Sequence, residues 1–459
     1  MESFVPSISE QLAKYYVSAD TSKIPQIVYD RAKECILDWL GNAIGGASLD
    51  TTEMAKRAMI VDDYPGSCTV MLGQKAPADK AAFVNAASAH GLEMDDSNTH
   101  AGGHPAVSII TPAFSVAEEM DASGLELMRA VIWGYDTMCR VGMAVIPDNH
   151  FERGFHPTST CGIFGGTTAV SMLKKFNEKQ LADALGIAGG FSAGNLECYA
   201  DGTLTKRINP AHASMGAINA AKLAAQGYGG PRWIFEGKCG FLHAYTDGAE
   251  PENMLKNLDY SEYYLMHTAF KPYASCKYTH APIDSVIKIM KGHSLNPEDV
   301  EEIVIDVVSM ALRAVVEPKE IKYNPPSAGA AQFSLPYATA VAALFGAASV
   351  DQFDDRLLKD PAVKAMMQRV RMVHTGEMDK YLPYTFAAKA DIRLKDQRFF
   401  SELTTYTKGD PQNPMSPQEL KDKFLSLATR NIDKNRALKL YDLVCNLEKV
   451  SVRDLTAVI

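Results

Sequence analysis

Three short stretches of this 459-residue chain gather titratable side chains among glycines and prolines, the setting in which catalytic loops usually lie. The first, AHGLEMDDSNTHAGGHP, carries His90, Glu93, Asp95, Asp96, Ser97, Thr99, His100 and His104. Carboxylates followed by histidines supply a general base with a nearby proton donor. Glu93 and Asp96 are three residues apart, which on a helical turn places both on one side. A solvated acidic loop, or a helix end capped by Asp and Ser, is the plainer alternative. His100 and His104 stand four apart, a spacing that suits two zinc ligands on a helix. Gly102, Gly103 and Pro105 oppose a rigid helix there, so no metal is expected.

The second stretch is RGFHPTSTCGIFGG. His156 precedes Pro157, which favours extended backbone, and Thr158, Ser159 and Thr160 offer caps for a helix starting near Gly162. A histidine beside a helix N-terminus suits a substrate carboxylate; one that merely satisfies a backbone carbonyl is equally consistent. The third combines ADGTLTKRINPAHAS with AFKPYASCKYTHAP, holding Lys206, Arg207, Lys271, Lys277 and His280. Such cations hold carboxylates, and a desolvated lysine can itself titrate as acid or base. Solvated surface lysines are the competing explanation. Gly190 to Gly194 match G-x-S-x-G, which would make Ser192 a hydrolase nucleophile. That motif needs a strand before it, and here LADALGIAGG reads as helix. No G-x-G-x-x-G or Walker A sequence occurs, so no nucleotide cofactor is expected.

The elements that must position these residues change character along the chain. Apolar spacing predicts helices over 24–44, 79–92, 111–120, 123–141, 162–174, 178–186 and 210–225, the fourth opened by a Ser123/Glu126 capping box. Runs such as AHASMGAINAAKLAAQG predict helices packed at close range. Beyond residue 266, alternation in VEEIVIDVV predicts a strand over 300–308, with others at 369–374 and 388–394. Helices are expected at 282–291 and 335–345, and again from Ser416 onward. The fold class is therefore mainly α with an α+β insertion. Residues 1–266 form a helical domain, 267–408 a smaller α+β lid, and 409–459 return to the first domain through the turn-rich TKGDPQNPMSP.

Composition excludes several functions. Hydrophobic residues are 46% and charged ones 22%, as in a folded globular protein. A net charge of −9, from 46 basic and 55 acidic residues, argues against nucleic acid and anionic membrane as partners. No run approaches the roughly 18 apolar residues of a membrane span, and MESFVPSISEQLAKYY lacks the build of a secretory signal. The eight cysteines include no C-x-x-C, which predicts reduced thiols and a cytoplasmic location.

The motifs AHGLEMDD, GGHP, GFHPTSTCGIFG, DGTLTKRINPAHAS, FKPYASCKYTHAPID and AQFSLPYA, in that order, resemble the MmgE/PrpD family across essentially the whole chain. Members include 2-methylcitrate dehydratase, cis-aconitate decarboxylase and iminodisuccinate epimerase. The resemblance implies homodimers, a cleft between a helical domain and a lid, and no cofactor. It places His104, His156, Lys206 and Lys271 on family active-site positions, with Tyr323 as a lid tyrosine. Glu93 stands where the family usually has Asp, and Asp96 and Ser97 where many members have Asp-Thr. It implies His104 and His156 as proton-transfer groups and Lys206 and Lys271 as carboxylate holders. Glu93 and Asp96 would orient the histidines or act as base, while Ser97, Arg207, Lys277 and His280 bind substrate. The expected activity is a lyase or isomerase on a small di- or tricarboxylate, foremost dehydration of the 2-methylcitrate type. Epimerisation and decarboxylation on the same scaffold are the alternatives, with a Ser192 hydrolase or a non-catalytic carboxylate binder outside it.

Overall fold

Small residues decide how the first 260 residues pack. A Cβ on Gly165 would lie 2.6 Å from the Gly134 carbonyl oxygen, and one on Gly134 would lie 2.9 Å from that of Gly165. The Gly124–Val145 and Gly162–Leu173 helices therefore meet backbone to backbone. Ile109 of the Pro105–Met120 helix fills the groove beside them. The structure, a computed structural model, describes residues 5–60, 65–145, 147–383 and 385–459. Its helices at Gln26–Gly45, Ala78–Ala89, Glu178–Phe191 and Asn209–Ala225 fall where apolar spacing puts them. Ser123 and Glu126 bond reciprocally at the start of the Gly124–Val145 helix. One helix starts earlier than expected, at Pro105 instead of Thr111, and carries Pro112 inside it.

The helical core is built around Trp39, Trp133, Tyr16, Tyr135, Phe114 and Phe164, all buried. The Pro417–Ala428 helix returns to this core and packs on the Gln26–Gly45 helix. Lys423 is buried in that contact, with its Nζ 2.5 Å from Asp38 Oδ1 and 2.7 Å from the Met94 carbonyl oxygen.

A second core lies in the α+β part. Its sheet has the order Val370–Val373, Val300–Val307, Ala388–Leu394, Phe399–Thr404. The first pair is parallel and the other two are antiparallel. Strict alternation in Ala388–Leu394 turns Ala388, Ala390, Ile392 and Leu394 towards the His280–Gly292 helix. Sequence spacing misses the Phe399–Thr404 edge strand, because its apolar residues do not alternate with polar ones and two of them, Phe399 and Leu403, are exposed. Gly409, at φ +91°, lets the returning chain pass against Phe270, where a Cβ would collide with the carbonyl oxygen. That crossing pins the segment just before Lys271.

Candidate active site

Each functional side chain is placed by a specific backbone device. The Ala78–Ala89 helix ends on His90, and the chain then turns through Glu93, whose φ of +53° is the left-handed conformation. Such strain in a non-glycine residue persists only where surrounding contacts fix it. Ser97 pairs with Ala269 through two backbone hydrogen bonds of 2.9 and 2.7 Å, which brings Lys271 beneath the turn. Asp96 accepts from the Ala106 N–H at 3.0 Å and so caps the Pro105–Met120 helix. His104 stands just before that helix, and its N–H donates to Thr158 Oγ1 at 3.1 Å. His156 precedes the Pro157–Thr160 turn, and Lys206 lies in the short Thr205–Ile208 turn.

Together these devices assemble a buried charge network. Lys206 Nζ is 2.7 Å from Glu93 Oε1 and 2.8 Å from His90 Nε2. His90 Nδ1 is 2.6 Å from Asp95 Oδ2. An ammonium only donates, so His90 accepts at Nε2 and donates from Nδ1 to Asp95. Lys271 donates to the Glu93 carbonyl oxygen at 3.2 Å and lies 3.4 Å from Glu93 Oε2 and 3.8 Å from Asp95 Oδ1. Burial opposes the charge on Glu93, but Lys206 and Lys271 outweigh it and hold its carboxyl at about 2. Asp95 is likewise buried yet held well below the usual range, by the hydrogen bond from His90 and by Lys271. Lys271 gains more from Glu93 and Asp95 than it loses by burial, and its pKa rises.

Two histidines flank His90, with ring centres 5.2 Å away for His104 and 5.7 Å for His156. They present the same nitrogen, Nε2, in opposite protonation states. His104 Nδ1 donates to the Asp96 carbonyl oxygen at 2.5 Å, leaving Nε2 as an acceptor. His156 Nδ1 accepts from Asn209 Nδ2 at 3.4 Å, so its proton sits on Nε2. Burial, with Lys271 nearby, pushes His104 down to about 3. Burial and then Lys206 push His156 well below its usual value. Both are neutral imidazoles in the empty site. Glu93, Ser97, His104, His156, Lys206 and Lys277 line a common cleft, closed by Phe151, Tyr199 and Phe386. Lys277 stands at its mouth, 2.6 Å from both Asp410 Oδ1 and Thr407 Oγ1.

Other expected site residues lie elsewhere. The Asp96 carboxyl points away from the cleft, bonded to Ala106 N–H and, at 2.7 Å, to the Tyr135 hydroxyl. Glu93 and Asp96 do not share a helical turn, because the segment between them is irregular. Lys271 is fully buried beneath Glu93, behind the cleft floor. Arg207 lies behind Tyr199 and bonds Thr51 and Gln332. His280 donates from Nε2 to the Ser275 carbonyl oxygen and packs edge-on to Tyr273. Tyr323 is turned into the lid, where its hydroxyl donates 2.6 Å to the Val370 carbonyl oxygen; its neighbour Lys322 faces the site region instead. His100 packs against His267, with ring centres 4.5 Å apart and planes tilted by 48°, rather than joining His104. Ser192 ends the Glu178–Phe191 helix and donates to the Thr160 carbonyl oxygen at 3.0 Å, with no histidine bonded to it among the described residues. His90 and Asp95 were not singled out as site residues by spacing, yet they connect the whole network. All eight cysteines are free thiols.

Comparison with known proteins gives this arrangement its relatives. The MmgE/PrpD N-terminal domain is matched over residues 10–254 and the MmgE/PrpD C-terminal domain over 273–449. A cis-aconitate decarboxylase of Aspergillus terreus is 27% identical, with 97% of this chain and 94% of the relative covered. A cis-aconitate decarboxylase-like protein of Aspergillus oryzae is 26% identical over 99% and 97%. Human cis-aconitate decarboxylase is 25% identical over 96% and 92%. Both family domains and full-length relatives thus coincide with the two cores and the cleft between them, and the chain belongs to the MmgE/PrpD family.

Proposed function

We propose that this chain is a lyase that removes carbon dioxide from cis-aconitate or a closely similar tricarboxylate, using its own side chains. The family resemblance by itself favours dehydration of the 2-methylcitrate type. The decarboxylase names of the full-length relatives move the reading to loss of carbon dioxide. The observation that carries the mechanism is the pair of histidines in opposite tautomers, one Nε2 bare and one bearing hydrogen, above the Lys206–Glu93–Lys271 network.

The reaction breaks the bond between the substrate methylene and its carboxylate. The electron pair left behind forms a new methylene double bond and displaces the original one. Charge then collects on the carbon next to a remaining carboxylate and spreads into that carboxylate. One proton completes the product, so a trianion becomes carbon dioxide and a dianion. Cations fixed in a dry site stabilise such developing charge at no reorganisation cost, the role assigned to Lys206, with Lys271 holding Glu93 in place. A bound trianion opposes the field of the lysines and raises both flanking histidines, so one becomes a proton donor. His156 is assigned that role: once also protonated at Nδ1, it gives up its Nε2 hydrogen and returns to a neutral imidazole, while His104, once protonated at Nε2, donates to a substrate carboxylate.

A second reading is favoured by the same two tautomers. One acceptor and one donor are also what dehydration needs, to take an α-proton and to protonate a departing hydroxyl. The test is to offer purified protein cis-aconitate and 2-methylcitrate separately and measure carbon dioxide and product. Carbon dioxide from cis-aconitate supports decarboxylation. An olefin from 2-methylcitrate without carbon dioxide overturns it in favour of dehydration.

A further inference from the structure

Behind the Tyr199 and Lys206 wall of the cleft lies a second, narrow pocket with two cations that the proposed reaction leaves unused. It shares Glu93, Tyr199 and Lys206 with the cleft and adds Arg207 and Lys322. Lys322, on the short Lys319–Tyr323 helix, is 2% exposed. Its Nζ donates to the Ala314 carbonyl oxygen at 2.8 Å and lies 5.7 Å from the centre of the Tyr199 ring. Arg207, 7% exposed, donates at 3.0 Å to Thr51 Oγ1 and Gln332 Oε1. Among the described residues, neither cation has a carboxylate at ion-pair distance. The pocket's carboxylate, Glu93, is already engaged by Lys206 and Lys271.

Buried cations without a counter-charge are costly, and apolar residues of similar volume would pack there more favourably. Burial lowers both groups, and it pushes Lys322 down to about 8, with the Cys276 and Cys198 thiols opposing only in part. The pair makes physical sense as half of an interaction whose other half is an anion. The pocket has room for little more than a water, which suits a group no larger than a carboxylate.

We infer that Lys322 and Arg207 form a carboxylate subsite that shares a wall with the reaction cleft and selects for a ligand carrying a remote negative charge. The carboxylate comes from the substrate's own far end or from a free monocarboxylate. Only the first source rests on the reaction proposed above.

Calorimetry at pH 8, in two buffers of different ionisation enthalpy, tests this with tricarballylate, a saturated tricarboxylate, and separately with acetate. Lys322 must be an ammonium to hold the anion, so binding takes up about half a proton at that pH. The titratable or charged groups facing it are Cys198, Cys276, Tyr199, Glu93, Lys206 and Arg207. Burial raises the two thiols and the phenol, while Glu93 is held low. The difference between wild type and Lys322→Met isolates the share of Lys322. Lys322→Gln keeps a donor for the Ala314 carbonyl, and melting curves of both variants show that the fold is retained. The expected result is an uptake present in wild type and absent from both variants, with tricarballylate affinity weakened about tenfold or more.

Uptake with tricarballylate alone assigns the substrate's remote carboxylate, and equal uptake with acetate assigns a free one. The subsite is overturned if neither uptake nor affinity depends on Lys322 with either anion. Lys322-dependent binding with no turnover of any tricarboxylate would sink the reaction and keep the subsite. Normal turnover with binding indifferent to Lys322 would do the reverse.

Discussion

Replacing Glu93 by Gln removes the charge against which both buried lysines are set. In the folded chain its carboxyl is held at about 2, against an ordinary value of 4.5. At about 1.4 kcal/mol per unit, that difference is worth roughly 3 kcal/mol of stability at neutral pH. It falls within the roughly 3–5 kcal/mol expected when one partner of a buried ion pair is removed. The sign follows from the direction of the shift. A carboxyl depressed by folding contributes fully above 4.5, and its contribution is lost as pH falls towards 2. Urea unfolding followed by circular dichroism at pH 7 and in steps down to about pH 3 reads both effects. Glu93→Gln should be weaker at pH 7 and should lose correspondingly less on acidification. Equal stability at pH 7 together with an unchanged acid slope would refute the reasoning, because Glu93 would then not be compensating Lys206 and Lys271.

Three further outcomes follow from the same geometry. His104 is pushed down to about 3 and His156 well below its usual value, so kcat/KM measured from pH 5 to 8 should show no histidine step near 6.5; a step there would mean that one is charged in the free enzyme. Because the unfolded chain binds those protons first, the two histidines also weaken the fold as pH drops below about 6.5. Asn209→Leu removes the donor to His156 Nδ1 and should lower kcat about tenfold with KM little changed, while Asn209→Gln restores part of it if a donor is what matters. Ser192→Ala should leave turnover within twofold of wild type and abolish no ester cleavage, since Ser192 only donates to the Thr160 carbonyl oxygen.

The helices were legible because burial on one face leaves an apolar spacing in the residues themselves. The exceptions share a cause: what places each lies outside its own run of residues. The Pro105–Met120 helix starts before its apolar spacing becomes evident because Asp96, nine residues upstream of Pro105, supplies the cap. Asp96 looks like a base until Tyr135 is seen to hold it. His90 stands in the first titratable stretch, but nothing local gives it a role, and its partner Lys206 is 116 residues later. On the Lys319–Tyr323 helix, a step of one residue turns the side chain through about 100°. That step separates Tyr323, bound within the lid, from Lys322, which faces the pocket. The motifs shared with the MmgE/PrpD family, not local spacing, gathered Glu93, His104, His156 and Lys206 into one expectation. Which of their neighbours face the cleft is decided by contacts that no local spacing encodes.

The central claim is that this cleft delivers one proton to a carbon left electron-rich by loss of carbon dioxide. Proton NMR of cis-aconitate with the enzyme in deuterium oxide tests it most directly. The account predicts a new terminal methylene signal free of deuterium and a single deuterium at the carbon beside the remaining carboxylate, both lost in Lys206→Met. Deuterium exchange into unreacted substrate with no carbon dioxide, or turnover that survives in Lys206→Met, would contradict it.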